Sequence, residues 1–171
     1  ISITVSATKY YVSTSGSDSN NGLTESTPWK TLAYAESKAT SPGDIIALKR
    51  GDTFNLTSKL QVNQVGTESN HIIWDGSLWG TGSKATITGG SGLVYVFALN
   101  QCSHLTFQNI VFNGQNKENS ALVIGGPYYN QNGEHDIVIQ DCEFYDFGAS
   151  DSIYAILVET WNNDISNIKV Q

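Results

Sequence analysis

A short strand-like phrase recurs along this chain at nearly constant spacing. It reads Asn70-His71-Ile72-Ile73-Trp74-Asp75-Gly76 and returns as Ser103-His104-Leu105-Thr106-Phe107-Gln108-Asn109. It appears a third time as His135-Asp136-Ile137-Val138-Ile139-Gln140-Asp141 and begins again at Asn167-Ile168-Lys169-Val170-Gln171. With Ile72, Leu105, Ile137 and Ile168 equivalent, the steps are 33, 32 and 31 residues. A fixed period of this size marks a repeat architecture. Apolar and polar residues alternate within the phrase, which is the side-chain period of a strand and not of a helix.

A second strand signal precedes each phrase, at residues 59–62, 94–99, 121–124 and 155–158. A third lies between phrases at residues 85–88 and 110–112, and Gly, Asn, Ser and Asp turns separate them. A unit of two or three short strands cannot bury its own apolar side chains. Stacking the units about 4.8 Å apart buries them in one continuous column. The 31–33-residue period also occurs in helical repeats, but helical patterning is absent after residue 40. The expected fold class is all-β, a parallel β-helix (solenoid), in one domain. Residues 1–54 form an opening strand, a short capping helix and the first coil, and residues 55–171 form about four further coils.

The first segment has its own character. Lys9-Tyr10-Tyr11-Val12-Ser13 reads as a strand, followed by the turn-rich Ser15-Gly16-Ser17-Asp18-Ser19-Asn20-Asn21-Gly22. Thr27 then stands as a helix N-cap and Pro28 as its first residue, predicting a helix over residues 28–38 with Leu32, Ala35 and Ala39 on one face. Ser41-Pro42-Gly43-Asp44 ends it and leads into the buried strand Ile45-Ile46-Ala47-Leu48. Laid over the first coil, this helix protects an edge that would otherwise pair with another chain. Residues 1–7 read either as an ordinary first strand or as the tail of a secretory signal ending in Val5-Ser6-Ala7.

The 171 residues suffice for one sizeable core. A net charge of −7 with scattered Lys and Arg argues against a nucleic-acid partner, and no apolar stretch is long enough for a membrane span. An acidic chain that handles an acidic polymer needs a local basic strip or a bridging cation. Cys102 precedes its phrase and Cys142 follows its own, so the two are expected to be free thiols.

Tyr10-Tyr11-Val12-Ser13, Gly16 to Gly22, Pro28-Trp29-Lys30-Thr31-Leu32 and Pro42-Gly43-Asp44-Ile45-Ile46-Ala47-Leu48 together resemble the N-terminal cap and first coil of secreted right-handed parallel β-helix proteins. Those proteins belong to the pectate-lyase-like superfamily, and the cap is similar to that of family 9 pectate lyases and chondroitinase B-like lyases. The cap motif covers about residues 9–54. The resemblance implies a right-handed solenoid, secretion or surface display, and a polysaccharide partner, acidic or neutral. It implies a uronate lyase in which a lysine or arginine removes the proton alpha to a carboxylate while calcium, held by aspartates, neutralises that carboxylate. In such lyases the lysine and most calcium ligands lie on later coils, so the catalytic coils are expected beyond residue 171.

Candidate site residues follow from side-chain chemistry. Asp75, Asn109 and Asp141 are placed at equivalent phrase positions, and Asp141, Glu143, Asp146 and Asp151 form a second acidic group. Asp75, Asp141 and Asp146 are the candidate calcium ligands, with a hydrogen-bonded ladder of turn residues as the alternative. His71, His104 and His135 border turns in imperfect register and read as a stacked structural ladder in preference to a metal triad. Asp18-x-Asn20-x-Gly22 starts like a calcium loop but lacks the later glutamate, and reads as an Asx-rich turn. Tyr128 and Tyr129, in the loop of residues 125–134, with Trp79 and Trp161 in turns, are candidate sugar-stacking platforms. Trp29 and Trp74 are assigned to the core. No nucleophile, phosphate loop or paired-carboxylate motif is legible, so no residue is assigned to catalysis.

Three functions remain in view. The first is the front portion of a uronate polysaccharide lyase. The second is a surface or filament-forming solenoid that self-associates through open strand ends. The third is a carbohydrate-binding module.

Overall fold

The period of 31–33 residues becomes one coil of a parallel solenoid. The structure, a computed structural model, describes residues 6–90, 93, 95–117, 120–125, 135–147, 155–159 and 166–171. In chain order its elements are β1 (Lys9–Val12), α1 (Leu32–Lys38), β2 (Ile45–Arg50), β3 (Thr53–Leu56), β4 (Leu60–Val62), β5 (Ile72–Gly80), β6 (Ala85–Gly89) and β7 (Tyr95–Leu99). They continue as β8 (Ser103–Gln108), β9 (Ile110–Lys117), β10 (Ser120–Gly125), β11 (His135–Gln140), β12 (Glu143–Phe147), β13 (Ile156–Glu159) and β14 (Ser166–Val170).

These strands form three parallel sheets, one per side of the coil. The first runs β1-β2-β5-β8-β11-β14, the second β3-β6-β9-β12 and the third β4-β7-β10-β13. The chain thus makes about four turns. The sequence equivalences hold in the register: Ile72 pairs with Leu105, Leu105 with Ile137, and Ile137 with Ile168.

Inside the coil, alternate side chains form the expected column. Trp74, Phe97, Phe107 and Phe112 are fully buried, and their rings pack edge-to-face or stacked at centroid distances of 5.6–6.0 Å. Burial of each such ring is worth about 1.5–3 kcal/mol. Cys102 is buried and unbridged, and so is the half-buried Cys142, whose thiol burial pushes up to about 11.

The capping helix is shorter than the sequence predicts. It starts after Thr31, whose side chain accepts from the Tyr34 backbone N–H. Thr27 and Pro28 carry the right local chemistry for a start, but Trp29 is drawn into a bridge with Val12. The Trp29 N–H donates to Tyr11 O, and the Ser13 N–H donates to Trp29 O. That pairing holds residues 28–30 extended and delays the helix by one turn. The buried Leu32 and Ala35 then face the coil.

One buried amide fastens the helix to the column. Gln64, only 3% exposed, donates through Nε2 to the carbonyls of Ala39 (2.7 Å) and Glu36 (3.2 Å) at the helix end. Its Oε1 accepts from the Trp74 indole at 2.8 Å.

The column assigned to Asp75 needs correction. Asp75 pairs with Gln108, and Gln108 with Gln140. Asn109 and Asp141 lie one residue later, level with Gly76. The register, counted from Ile72, Leu105 and Ile137, sets this offset, and a Cβ on Gly76 would stand 2.3 Å from the Asn109 carbonyl oxygen, so only glycine fits beneath that corner.

Candidate functional site

Two places on this scaffold concentrate polar side chains. The first is a cleft of about 380 Å³ between the cap and the first coil. Thr14, Lys30, Thr31, Thr53, Asn55, Thr57 and Ser58 supply its polar lining, and Leu32, Ala33, Phe54 and Leu56 its apolar part. Three sequence-distant segments meet here, and carboxylates outside the cleft fix two of its walls. Asp18 accepts from the backbone N–H groups of Lys30 (2.8 Å) and Thr31 (2.9 Å) and from the Thr31 hydroxyl (2.8 Å). Asp52 accepts from the Thr14 N–H (2.8 Å) and hydroxyl (3.1 Å) and from Ser13 Oγ (2.8 Å). Asn55 accepts from Thr88 Oγ1 of the next coil at 2.6 Å. The result is a preformed hollow with hydroxyl and amide groups set in a mainly apolar lining and one lysine at its wall. That chemistry suits a polyhydroxylated ligand, with the ammonium available to a carboxylate.

The second place lies along the first sheet. The register puts His71, His104, Asp136 and Asn167 at one position on four successive coils. His104, Asp136 and Asn167 there have φ of 53°, 55° and 52°. This left-handed step breaks the strand alternation, so the consecutive residues His135 and Asp136 converge. His135 Nδ1 lies 2.7 Å from Asp136 Oδ2, and His104 Nδ1 lies 3.5 Å from the same oxygen. The Asn167 amide donates to the other oxygen, Oδ1. The His104 and His135 rings meet edge-on at 5.0 Å, and His71 packs on His104 at 5.6 Å. His71 Nδ1 is 3.0 Å from the Thr106 hydroxyl. The hydrogen bonds from His135 and Asn167 hold the Asp136 carboxyl below the ordinary value of 3.8. Burial, then the neighbouring His104, lowers His71 from 6.5.

The residues expected from sequence fall as follows. Asp75 is buried, and its oxygens are occupied by the Ser77 N–H and hydroxyl at 2.7 and 2.9 Å and by the Gln108 amide. Gln108 in turn accepts from Gln140 at 2.8 Å, so a ladder of amides climbs the coils from Asp75. Asp141 is exposed at the corner after β11 and Asp146 is exposed at an irregularity within β12, with φ of 52° and 56°. The structure does not bring Asp75, Asp141 and Asp146 together. Calcium needs six to eight oxygen ligands, and this set does not fit it.

Among the described residues, His104, His135 and Asp136 are the one group of three His, Cys, Asp or Glu side chains whose ligand atoms lie close enough for a shared ion, all within 4.8 Å. The Asp18–Gly22 turn is tied by its own bonds and by those to residues 27–31. Trp79 is 7% exposed; its indole donates to Ala47 O at 2.8 Å, Tyr11 meets it edge-on, and Lys49 covers its ring. No open face is left for a sugar ring. Tyr128, Tyr129, Trp161, Asp151 and residues 1–5 lie outside the described residues.

The sequence matches no protein-family model and no curated protein. Solved structures do match the fold. A GH136 lacto-N-biosidase from Eubacterium ramulus, as its selenomethionine derivative, superposes with a TM-score of 0.59 at 19% identity, covering 94% of this chain and 34% of that one. Its native form gives 0.55 at 19% identity, over 93% and 34%. An alginate lyase from Paenibacillus sp. str. FPU-7 gives 0.39 at 16% identity, over 77% and 62%. The chain therefore spans about a third of the length of the lacto-N-biosidase it matches. No helix among the described residues is long and apolar enough to cross a membrane.

Proposed function

We propose that this chain is a segment of a polysaccharide-active β-solenoid protein, and that the cleft between cap and first coil holds a saccharide. The observation that carries this reading is the superposition of nearly the whole chain on a lacto-N-biosidase. The cleft supports it: Thr14, Thr31, Asn55, Thr57 and Ser58 offer hydroxyl and amide partners, and Lys30 offers a cation on a chain of net charge −7. The finer reading is a uronate lyase, secreted or displayed at the cell surface, whose Lys30 faces a sugar carboxylate in the cleft. Hydrolysis of a neutral glycan is the second reading, favoured by the hydrolase superposition. Calcium is derived into neither, because Asp75, Asp141 and Asp146 stand apart.

The test is binding of the untagged chain to immobilised glycans, including alginate, pectin, glycosaminoglycans and lacto-type oligosaccharides. One class should bind, and Asn55→Ala should weaken it about tenfold, the loss of one strong hydrogen bond. A uronate polymer losing affinity most with Lys30→Ala supports the lyase reading. A neutral glycan insensitive to Lys30→Ala supports the hydrolase reading. Absence of binding to every class, or binding unchanged in both variants, overturns the proposal.

A further inference from the structure

The His–Asp cluster on the first sheet is independent of the cleft. Its three donor groups come from two adjacent coils: His104 from β8, and His135 and Asp136 from β11. They converge because the left-handed Asp136 puts consecutive side chains on one side, a geometry that ordinary strand alternation forbids. His104 Nδ1 is buried and has no hydrogen-bond partner, although it points at a cluster of ligand atoms. A buried imidazole nitrogen left without a hydrogen bond is destabilising, and a cation bound there satisfies it.

We propose that His104 Nδ1, His135 Nδ1 and Asp136 Oδ2 form a transition-metal site that takes Zn²⁺. Zinc bonds to imidazole nitrogen and carboxylate oxygen are about 2.0–2.2 Å, so the edge of a tetrahedral site is about 3.3 Å. The two distances from Asp136 Oδ2, 2.7 and 3.5 Å, straddle that edge. Small side-chain rotations suffice. Two imidazoles and one carboxylate suit zinc and other late first-row metals, whereas calcium and magnesium select all-oxygen sets. Three protein ligands leave one position for water or a sugar hydroxyl. Asn167 holds Asp136 through the oxygen that does not face the histidines, the role of an outer hydrogen bond that orients a ligand. His71 packs on His104 from the preceding coil, with its Nδ1 engaged by Thr106, and is not a ligand in this arrangement.

The site is tested on the untagged chain after dialysis against a chelator, by zinc titration calorimetry and by the visible spectrum with Co²⁺. One zinc per chain should bind, competed by Co²⁺ with the intense absorption of a tetrahedral site, and Ca²⁺ should produce no heat. His135→Ala, at a side chain 41% exposed, leaves the core untouched and should abolish the stoichiometric binding. Asp136→Asn should do the same, and Asn167→Ala should weaken binding about tenfold. His71→Ala should retain one site. Absence of a one-to-one site, or a site that survives both His135→Ala and Asp136→Asn with unchanged circular dichroism, overturns the proposal.

Discussion

Gln64→Leu should loosen the cap from the solenoid. Leucine matches the volume of glutamine but can bond neither partner. The substitution strands the Trp74 indole N–H and the Ala39 carbonyl, both within a buried region, while the Glu36 carbonyl loses its longer bond. Each stranded buried group costs about 1–3 kcal/mol, and the new apolar burial offsets part of it, so the net loss is about 2–4 kcal/mol. Against a domain stability of about 5–15 kcal/mol this is a large shift of the urea midpoint. The assay is urea unfolding followed by far-ultraviolet circular dichroism. Trp74→Phe supplies the control. In that background the indole N–H is already gone, so Gln64→Leu should cost at least about 1 kcal/mol less than in the parent chain. A Gln64→Leu variant within about 0.5 kcal/mol of the parent would refute the reasoning. So would equal costs in the two backgrounds.

Other substitutions test other parts of the stack. Gly76→Ala pushes a methyl against the Asn109 carbonyl, a backbone atom that cannot swing away, and should lower stability by about 1–3 kcal/mol in the same unfolding assay. Trp79→Phe removes the indole bond to Ala47 O and should cost about 1 kcal/mol while leaving any glycan affinity unchanged, because the ring is enclosed. Burial pushes the Cys142 thiol up to about 11 from an ordinary 9.0, so at pH 8 it should hold about 100-fold less thiolate than an ordinary cysteine. Iodoacetamide mass mapping should find it correspondingly slow. Because the folded thiol value is raised, its contribution to stability is full below about pH 9 and is lost as pH climbs toward 11, which alkaline unfolding can follow.

Much of the fold was legible because a solenoid writes its register into its period. Ile72, Leu105, Ile137 and Ile168 share one apolar side, so counting alone finds their ladder. The same count, carried three residues on, places Gln108 and Gln140 beside Asp75. Assigning Asn109 and Asp141 to that column favoured residue chemistry over position. The helix start was not legible, because Thr27 and Pro28 satisfy a local rule that the Trp29–Val12 bridge overrides. His135 looks out of register with His71 and His104 as long as strict alternation is assumed. In the structure it stays one residue out of register, level with Ser103, and the left-handed Asp136 brings its side chain beside His104 all the same. The cleft could not be read at all, since Thr14, Lys30 and Asn55 meet through tertiary packing, with Asp18 and Asp52 as braces.

Whether this chain itself receives a saccharide is tested most directly by amide chemical-shift mapping of the isotope-labelled chain titrated with the glycan it binds. Saturable shifts are expected at Thr14, Lys30, Thr31, Asn55 and Thr57, with the amides of Leu105 and Ile137 in the column unmoved. Shifts confined to residues outside the cleft, or none with any glycan, would contradict saccharide binding in the cleft.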